Sequence, residues 1–291
     1  MIETVDTVAS SFAATQEDVL FDIPYCSAAQ FHEYYGKGIP PNRLGMGCAW
    51  QSFEVAQRVQ ERNGVKATLL FSGRHVAAVY PQTDGMVVLD PYLLHRAPVV
   101  LRRAAGVDGV VTATQDAFPF RTTAGGQPRP SKLRLTWTPA NGGLHSEYSR
   151  FSPRRGRYVT FRAFTFRPGS MLPAFPPPHG LVRRLLLHAE QNNLSIRSID
   201  RDSGRMRELV LPFSGRPRES LVDRDSLITK DNQGVVSHAG TEEFQRDLTG
   251  ICASVASSPD ELTEYLLGAA EIYAAMAPQD IVVPEYSVED E

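Results

Sequence analysis

The chain has 291 residues, of which 42% are hydrophobic and 22% charged. That is room for one large domain or about two of roughly 150 residues, with enough apolar surface for a real core, so disorder is excluded as the default. Lys and Arg number 30 against 33 Asp and Glu, a net charge of -3, and no overall basic field exists to hold a nucleic-acid backbone. Three cysteines, Cys26, Cys48 and Cys252, are scattered with no CxxC pair, which argues against a disulfide framework and a structural zinc site and suits a reducing cytoplasm. The first residues carry acids where a signal peptide needs cations, and nowhere do about 18 apolar residues run together. The expectation is a cytoplasmic protein with no nucleic-acid or membrane partner.

Residues 1–66 read mainly helical. Ser27 is placed as the cap of a short helix to Tyr35, closed by Gly36. The stretch from Gly36 to Gly47 is too rich in Gly and Pro for regular structure, and its Gly36-Lys37-Gly38 cluster is a turn rather than a phosphate loop. From Cys48 to Asn63 the apolar residues Ala49, Phe53, Ala56 and Val59 recur at helical spacing, and Gly64 ends the helix. Cys48 therefore opens a helix.

After Gly64 the period changes to that of strands. Runs at 66–72, 75–80 and 86–89 are β-branched and aromatic, with a hairpin turn signal over Gln82-Thr83-Asp84-Gly85. Further strands are expected at 98–101, 109–112, 133–138 and 158–166, and a barrel or curled sheet is the natural closure for so many short strands. Residues 180–192 read as a helix, and 194–199 with 206–212 as a hairpin. Thr241 opens a helix to about Ser254, and Ser258-Pro259-Asp260-Glu261 opens another to about Met276. The acidic end reads as frayed. The resulting class is α+β, with a helical part at 1–66, a β-rich part at 67–178 and a C-terminal α/β part at 179–291.

No GxSxG elbow, HExxH pair, Walker loop or dinucleotide GxGxxG is present, and the histidines lack a second ligand at metal spacing, His32-Glu33 and His95-Arg96 included. No metal is expected. What stands out is the order Cys48, His75, Asp90. A helix N-terminus favours a thiolate, an imidazole takes the thiol proton, and a carboxylate holds the imidazole in one tautomer. If Pro81 lies opposite Met86, Asp90 falls opposite Ala77, diagonal to His75 and on the same face. The two Cβ atoms are then roughly 7 Å apart, which the side chains can bridge. Cys26 is the rival nucleophile, but no His-Asp hairpin follows it at matching spacing.

Gly-x-Gly-Cys at 45–48 opening a helix, with His75-x14-Asp90-Pro91 on a hairpin, resembles the transglutaminase-like cysteine enzymes. The broader layout, with YVTFRAFTFRPGSMLPAF at 158–175 and GLVRRLLLHAEQNN at 180–193, resembles an arylamine N-acetyltransferase over about residues 15–255. Two features depart from that family: the acid two residues after the nucleophile is Trp50, and Pro91-Tyr92-Leu93 replaces the glycine-rich run after the aspartate. The resemblance implies a papain/transglutaminase-like core with a central β-barrel and a C-terminal lid. It implies catalytic Cys48, His75 and Asp90, and a pocket bordered by Tyr25, Met46, Gly47, Ala49, Trp50 and Tyr92. No cofactor stays bound. The co-substrate is an acyl-CoA or acyl-phosphopantetheine, the latter on an acyl carrier protein, and the acceptor is an amine. Divergent relatives include amide synthases of natural-product assembly. A transglutaminase-like thiol hydrolase and a catalytically inactive small-molecule binding protein of the same fold remain as alternatives. The arginine clusters Arg102-Arg103, Arg154-Arg155-Arg157 and Arg183-Arg184 read either as phosphate contacts or, by preference, as solvated faces.

Overall fold

The computed structural model describes residues 5–36, 44–172, 177–188, 190–213, 216–217, 220–278, 283 and 286. In chain order the elements are α1 (Val5–Asp22), β1 (Tyr25–Cys26), α2 (Ala29–Tyr35), α3 (Cys48–Asn63), β2 (Thr68–Ser72), β3 (His75–Gln82), β4 (Gly85–Leu89) and β5 (Val99–Arg102). Then come β6 (Val111–Thr122), β7 (Pro128–Thr138), β8 (Gly143–Ser152), β9 (Arg157–Phe166), α4 (His179–Leu186), β10 (Asn193–Ile199) and β11 (Met206–Pro212). Last are β12 (Ile228–Lys230), β13 (Val236–His238), α5 (Glu242–Ser254) and α6 (Pro259–Met276). The chain is α+β and folds as two compact units, one of residues 1–20 with 48–178 and one of residues 21–47 with 179–291.

The first unit carries α3 and two antiparallel meanders, β2-β3-β4-β5 and β6-β7-β8-β9. The expectation of a closed barrel is corrected here. Among the described residues these are separate four-stranded sheets, because each hairpin pairs with its sequence neighbour and β2, β5, β6 and β9 remain edges. Inside this unit Phe12 of α1 packs on Tyr80 of β3, ring centroids 4.7 Å apart. Helix α3 buries Ala49, Phe53, Val55 and Val59 and ends at Gly64, whose φ of +70° stops the helix with a left-handed residue. The expected face is shifted slightly, since Val55 is buried and Ala56 only half-buried.

Strand β8 was not among the expected strands. Its buried side is Leu144, Ser146, Tyr148 and Arg150, so polar residues occupy core positions and the apolar alternation that marks a strand is absent. Arg150 is accommodated by donating Nε–H to the Tyr148 hydroxyl at 3.0 Å and by lying 3.9 Å above the Phe161 ring.

The second unit holds the sheet β1-β10-β11-β12-β13. The caps read from the sequence at Thr241 and Ser258 are present, accepting N–H bonds from Phe244 and Glu261. Its core includes Phe213 stacked on Tyr273 at 4.7 Å. Ser27 is not a helix cap. Its hydroxyl instead accepts the Ser195 N–H at 2.8 Å, satisfying a buried backbone donor at the strand start, and α2 begins at Ala29 after Ala28 with no side-chain cap. Helix α4 stops at Leu186 rather than reaching 192, and Gln191 N–H bonds the His188 carbonyl in the turn that leads into β10. Residues 37–43 of the expected Gly36–Gly47 loop, Lys37 and Gly38 among them, and the acidic end at 287–291 lie outside the described residues.

Candidate active site

The site begins with helix α3 laid along strand β3. Cys48 and Ser52 are four residues apart, about 6 Å of helical rise, and so share a helix face. Carbonyls two residues apart on an extended chain are separated by a similar distance, roughly 6.6 Å. The match is used. The Cys48 Sγ lies 3.6 Å from the Arg74 carbonyl oxygen and Ser52 Oγ–H donates to the Val76 carbonyl at 2.6 Å. His75 lies between these two rungs, which sets the nucleophile beside the imidazole. Ser52 was not singled out from the sequence, although a hydroxyl four residues after a helix-opening Cys is a signal that could have found it.

The β3-β4 hairpin supplies the acid. Gln82 pairs with Gly85, Pro81 with Met86 and Ala78 with Leu89, the register implied by the turn signal; the ladder ends there, and Asp90 is the next residue of the chain. Asp90 Oδ2 is 2.7 Å from His75 Nε2, and both side chains are almost wholly buried. The other ring nitrogen, Nδ1, is buried without a hydrogen-bond partner, while the Cys48 thiol donates to the Arg74 carbonyl and lies near enough to the ring for each group to shift the other's protonation.

The charges in this cluster favour an ion pair. Burial by itself would lower His75, but the Asp90 charge and hydrogen bond, followed by Cys48, outweigh it and raise the imidazole from 6.5 to about 10. Burial raises Cys48, yet the neighbouring His75, with the Arg74 charge nearby, carries the thiol below 9.0. The rival behaves oppositely: Cys26 is fully buried and desolvation pushes it up to about 12, so it stays a thiol. Cys252 is also pushed up, to about 11, by burial and by Glu261.

Aromatic rings wall the imidazole. Phe164 of β9 stacks on His75 at 4.1 Å, Tyr92 lies at 5.1 Å and Phe166 at 6.2 Å. Tyr92 sits in the 3-10 turn Pro91–Leu93 that follows Asp90, and its hydroxyl accepts the Arg162 Nε–H at 3.2 Å. Phe164 was missed because its ring meets His75 from a strand 89 positions away in sequence.

Behind Asp90 lies a second histidine. His95 is fully buried. The Asp90 N–H donates to His95 Nε2 at 3.1 Å, while His95 Nδ1 lies 2.7 Å from the Ala97 carbonyl. Gln16 of α1 donates to the His95 carbonyl at 2.7 Å.

The expected pocket residues fall in two groups. Ala49 and Trp50 are buried in the first turn of α3, and Tyr92 is the ring beside His75. Tyr25, Met46 and Gly47 belong to the other unit. There Met46 bridges to Tyr25 and accepts the Cys26 N–H at 2.8 Å, and the Gly47 N–H is held by Gln30 Oε1 at 2.8 Å. Gly45 has φ of +96°, and a Cβ on it would lie 1.9 Å from the Pro24 carbonyl oxygen, which explains the first glycine of Gly-x-Gly-Cys. Of the paired arginines, Arg102 pairs with Asp84 at 2.9 Å, Arg103 lies 4.8 Å above the Trp137 ring, and Arg183 donates to the Met276 carbonyl at 3.4 Å. Among the described residues no group of three or more His, Cys, Asp or Glu side chains gathers as metal ligands, and no helix is long and apolar enough to cross a membrane.

No protein-family model matches the chain, and neither a curated protein nor a solved structure matches it.

Proposed function

We propose that the protein is an acyltransferase or amide synthase that moves an acyl group from a thioester, through an acyl-cysteine at Cys48, to an amine. One observation carries this reading: a helix-opening thiol is coupled to a buried imidazole whose Nε2 lies 2.7 Å from a buried carboxylate. Such a set generates a thiolate near neutral pH and keeps a proton ready for the leaving group.

The chemistry runs in two halves. The Cys48 thiolate attacks the thioester carbonyl carbon, the bond to the donor sulfur breaks, and the departing thiolate takes the proton from the His75 imidazolium. In the second half the acceptor amine attacks the acyl-cysteine, His75 removes a proton from its nitrogen, and the Cys48 sulfur leaves as thiolate. The first N–H groups of α3 have no intrahelical acceptors and are the expected donors to the oxyanion. Phe164, Phe166 and Tyr92 keep water from the imidazole, which supports transfer to an amine over hydrolysis. Co-substrates of the class acyl-CoA or acyl-phosphopantetheine, with or without a carrier protein, fit this scheme, as does a cytoplasmic role in natural-product assembly. The likeness to transglutaminase-like cysteine enzymes rests on residues 45–48, 75 and 90–91, and the likeness to arylamine N-acetyltransferases on the chain layout and the stretches 158–175 and 180–193.

The test is incubation with short and long acyl-CoA thioesters, acyl carrier thioesters and a peptide amide panel, with intact mass read for wild type and Cys48→Ala. Acylation by thioesters that is absent in Cys48→Ala supports the reading. Turnover of peptide amides alone would move the assignment to a transglutaminase-like thiol hydrolase, and reaction with no donor would favour a binding protein.

A further inference from the structure

The buried His95 takes no part in proton transfer to Cys48, and its place in the fold gives it another task. The chain leaves β4 at Leu89, passes Asp90, turns through Pro91–Leu93 and reverses at Leu94, whose φ of +64° is left-handed. This brings the His95 ring back onto the backbone of Asp90, five residues earlier. A carbonyl oxygen can only accept, so the short contact to Ala97 requires the proton on Nδ1. Nε2 is then a bare acceptor, and it receives the Asp90 N–H. Only this neutral tautomer satisfies both contacts; an imidazolium or the Nε2–H form would aim a proton at the Asp90 N–H. Burial pushes His95 below its usual 6.5, in the same sense, although the Asp90 charge opposes it. Its backbone is fixed independently, by Gln16 on its carbonyl and by the bridge to Ala117 of β6.

We infer that His95 is a positioning residue: as a neutral Nδ1–H imidazole it accepts the Asp90 N–H and so orients the carboxylate toward His75 Nε2. The inference rests on the catalytic reading of Cys48, His75 and Asp90. Asp90 has a φ of −150° and ψ of 83°, and its second carboxylate oxygen, Oδ1, is buried without a hydrogen-bond partner. The carboxylate is therefore not anchored by its own oxygens except at His75, and its aim depends on how the backbone is held. His95 provides that hold with a group that carries no charge to compete for the carboxylate.

Two substitutions separate the roles of the two nitrogens. His95→Gln keeps a carbonyl acceptor near the position of Nε2, while His95→Asn keeps a donor for the Ala97 carbonyl and removes the acceptor. The readout is the rate of Cys48 alkylation by iodoacetamide as a function of pH, resolved by peptide mass. His95→Asn is expected to slow alkylation at pH 7 by about tenfold, the worth of one buried hydrogen bond, and to move the profile to higher pH. His95→Gln should restore most of the loss even if both variants lose thermal stability equally. Equal profiles for the two variants, or profiles unchanged from wild type, would overturn the inference. Nitrogen-15 NMR of the wild-type histidines gives a check that needs no variant to fold. One ring should hold its proton on Nδ1 and stay neutral across about pH 5 to 8; a His95 that titrates there, or that is protonated on Nε2, also overturns it. Wild-type Cys48 that alkylates like an ordinary thiol of pKa about 8.5 would instead sink the catalytic reading itself.

Discussion

Replacing Asp90 by Asn tests the electrostatics of the site with almost no change in shape. In the wild-type protein the two leading forces that raise the buried His75 imidazole both come from Asp90, its charge and its hydrogen bond, and together with Cys48 they carry it from 6.5 to about 10. At about 1.4 kcal/mol per pH unit the whole effect is on the order of 5 kcal/mol. The Asp90 charge also opposes the neighbouring thiolate directly, so its removal is expected to cost only part of this, on the order of 3 kcal/mol. Without that charge burial dominates, the imidazole gives up its proton, and the Cys48 thiolate loses the cation beside it. The thiolate fraction at pH 7 should fall by about 100-fold. Alkylation followed by peptide mass mapping measures this directly, with Cys26 and Cys252 as internal controls because burial pushes both thiols up, to about 12 and about 11. An Asp90→Asn profile that superimposes on that of the wild type would refute the reasoning, because the carboxylate would then not govern the imidazole.

Ser52→Ala removes the 2.6 Å bond to the Val76 carbonyl and should lower unfolding free energy by about 1–3 kcal/mol, read by urea denaturation, while also slowing Cys48 alkylation as α3 loses its register on β3. Gly45→Ala should destabilise the protein more severely than an ordinary surface change, since its Cβ would meet the Pro24 carbonyl at 1.9 Å and φ is +96°; a thermal midpoint equal to that of the wild type would count against this geometry. The acylation rate with a thioester should rise with pH as Cys48 ionises, at a value below 9.0, because the thiolate is the attacking form. It should fall again near pH 10 as His75 loses the proton destined for the leaving group; a rate that climbs without a plateau through pH 10 would contradict the ion pair.

Much of this site was legible in one dimension, and for a physical reason. A four-residue turn sets the register of a hairpin, so Gln82 to Gly85 was enough to put Asp90 on the face of His75, and the helical spacing after Cys48 was enough to put the thiol at a helix start. The parts that were not legible depend on contacts distant in sequence or on backbone groups. His95 serves the Asp90 N–H, a partner no side-chain pattern encodes. Phe164 meets His75 only once β9 is in place. Ser27 satisfies every local rule for a cap and was claimed by Ser195 of β10. Strand β8 hides Ser146 and Arg150 in its buried side, which erases the alternation. The barrel failed for a related reason: strand number does not say which edges pair, and here two meanders stay separate.

The central claim is that Cys48 becomes covalently acylated and passes the acyl group on. Its most direct test is peptide mapping of the protein after brief exposure to a reactive acyl thioester, followed by addition of an amine. The account predicts one acyl group per chain, on the peptide bearing Cys48, lost on amine addition with release of the corresponding amide. An adduct on Cys26, on Cys252 or on lysines, or an acyl-Cys48 that no amine discharges, would contradict it.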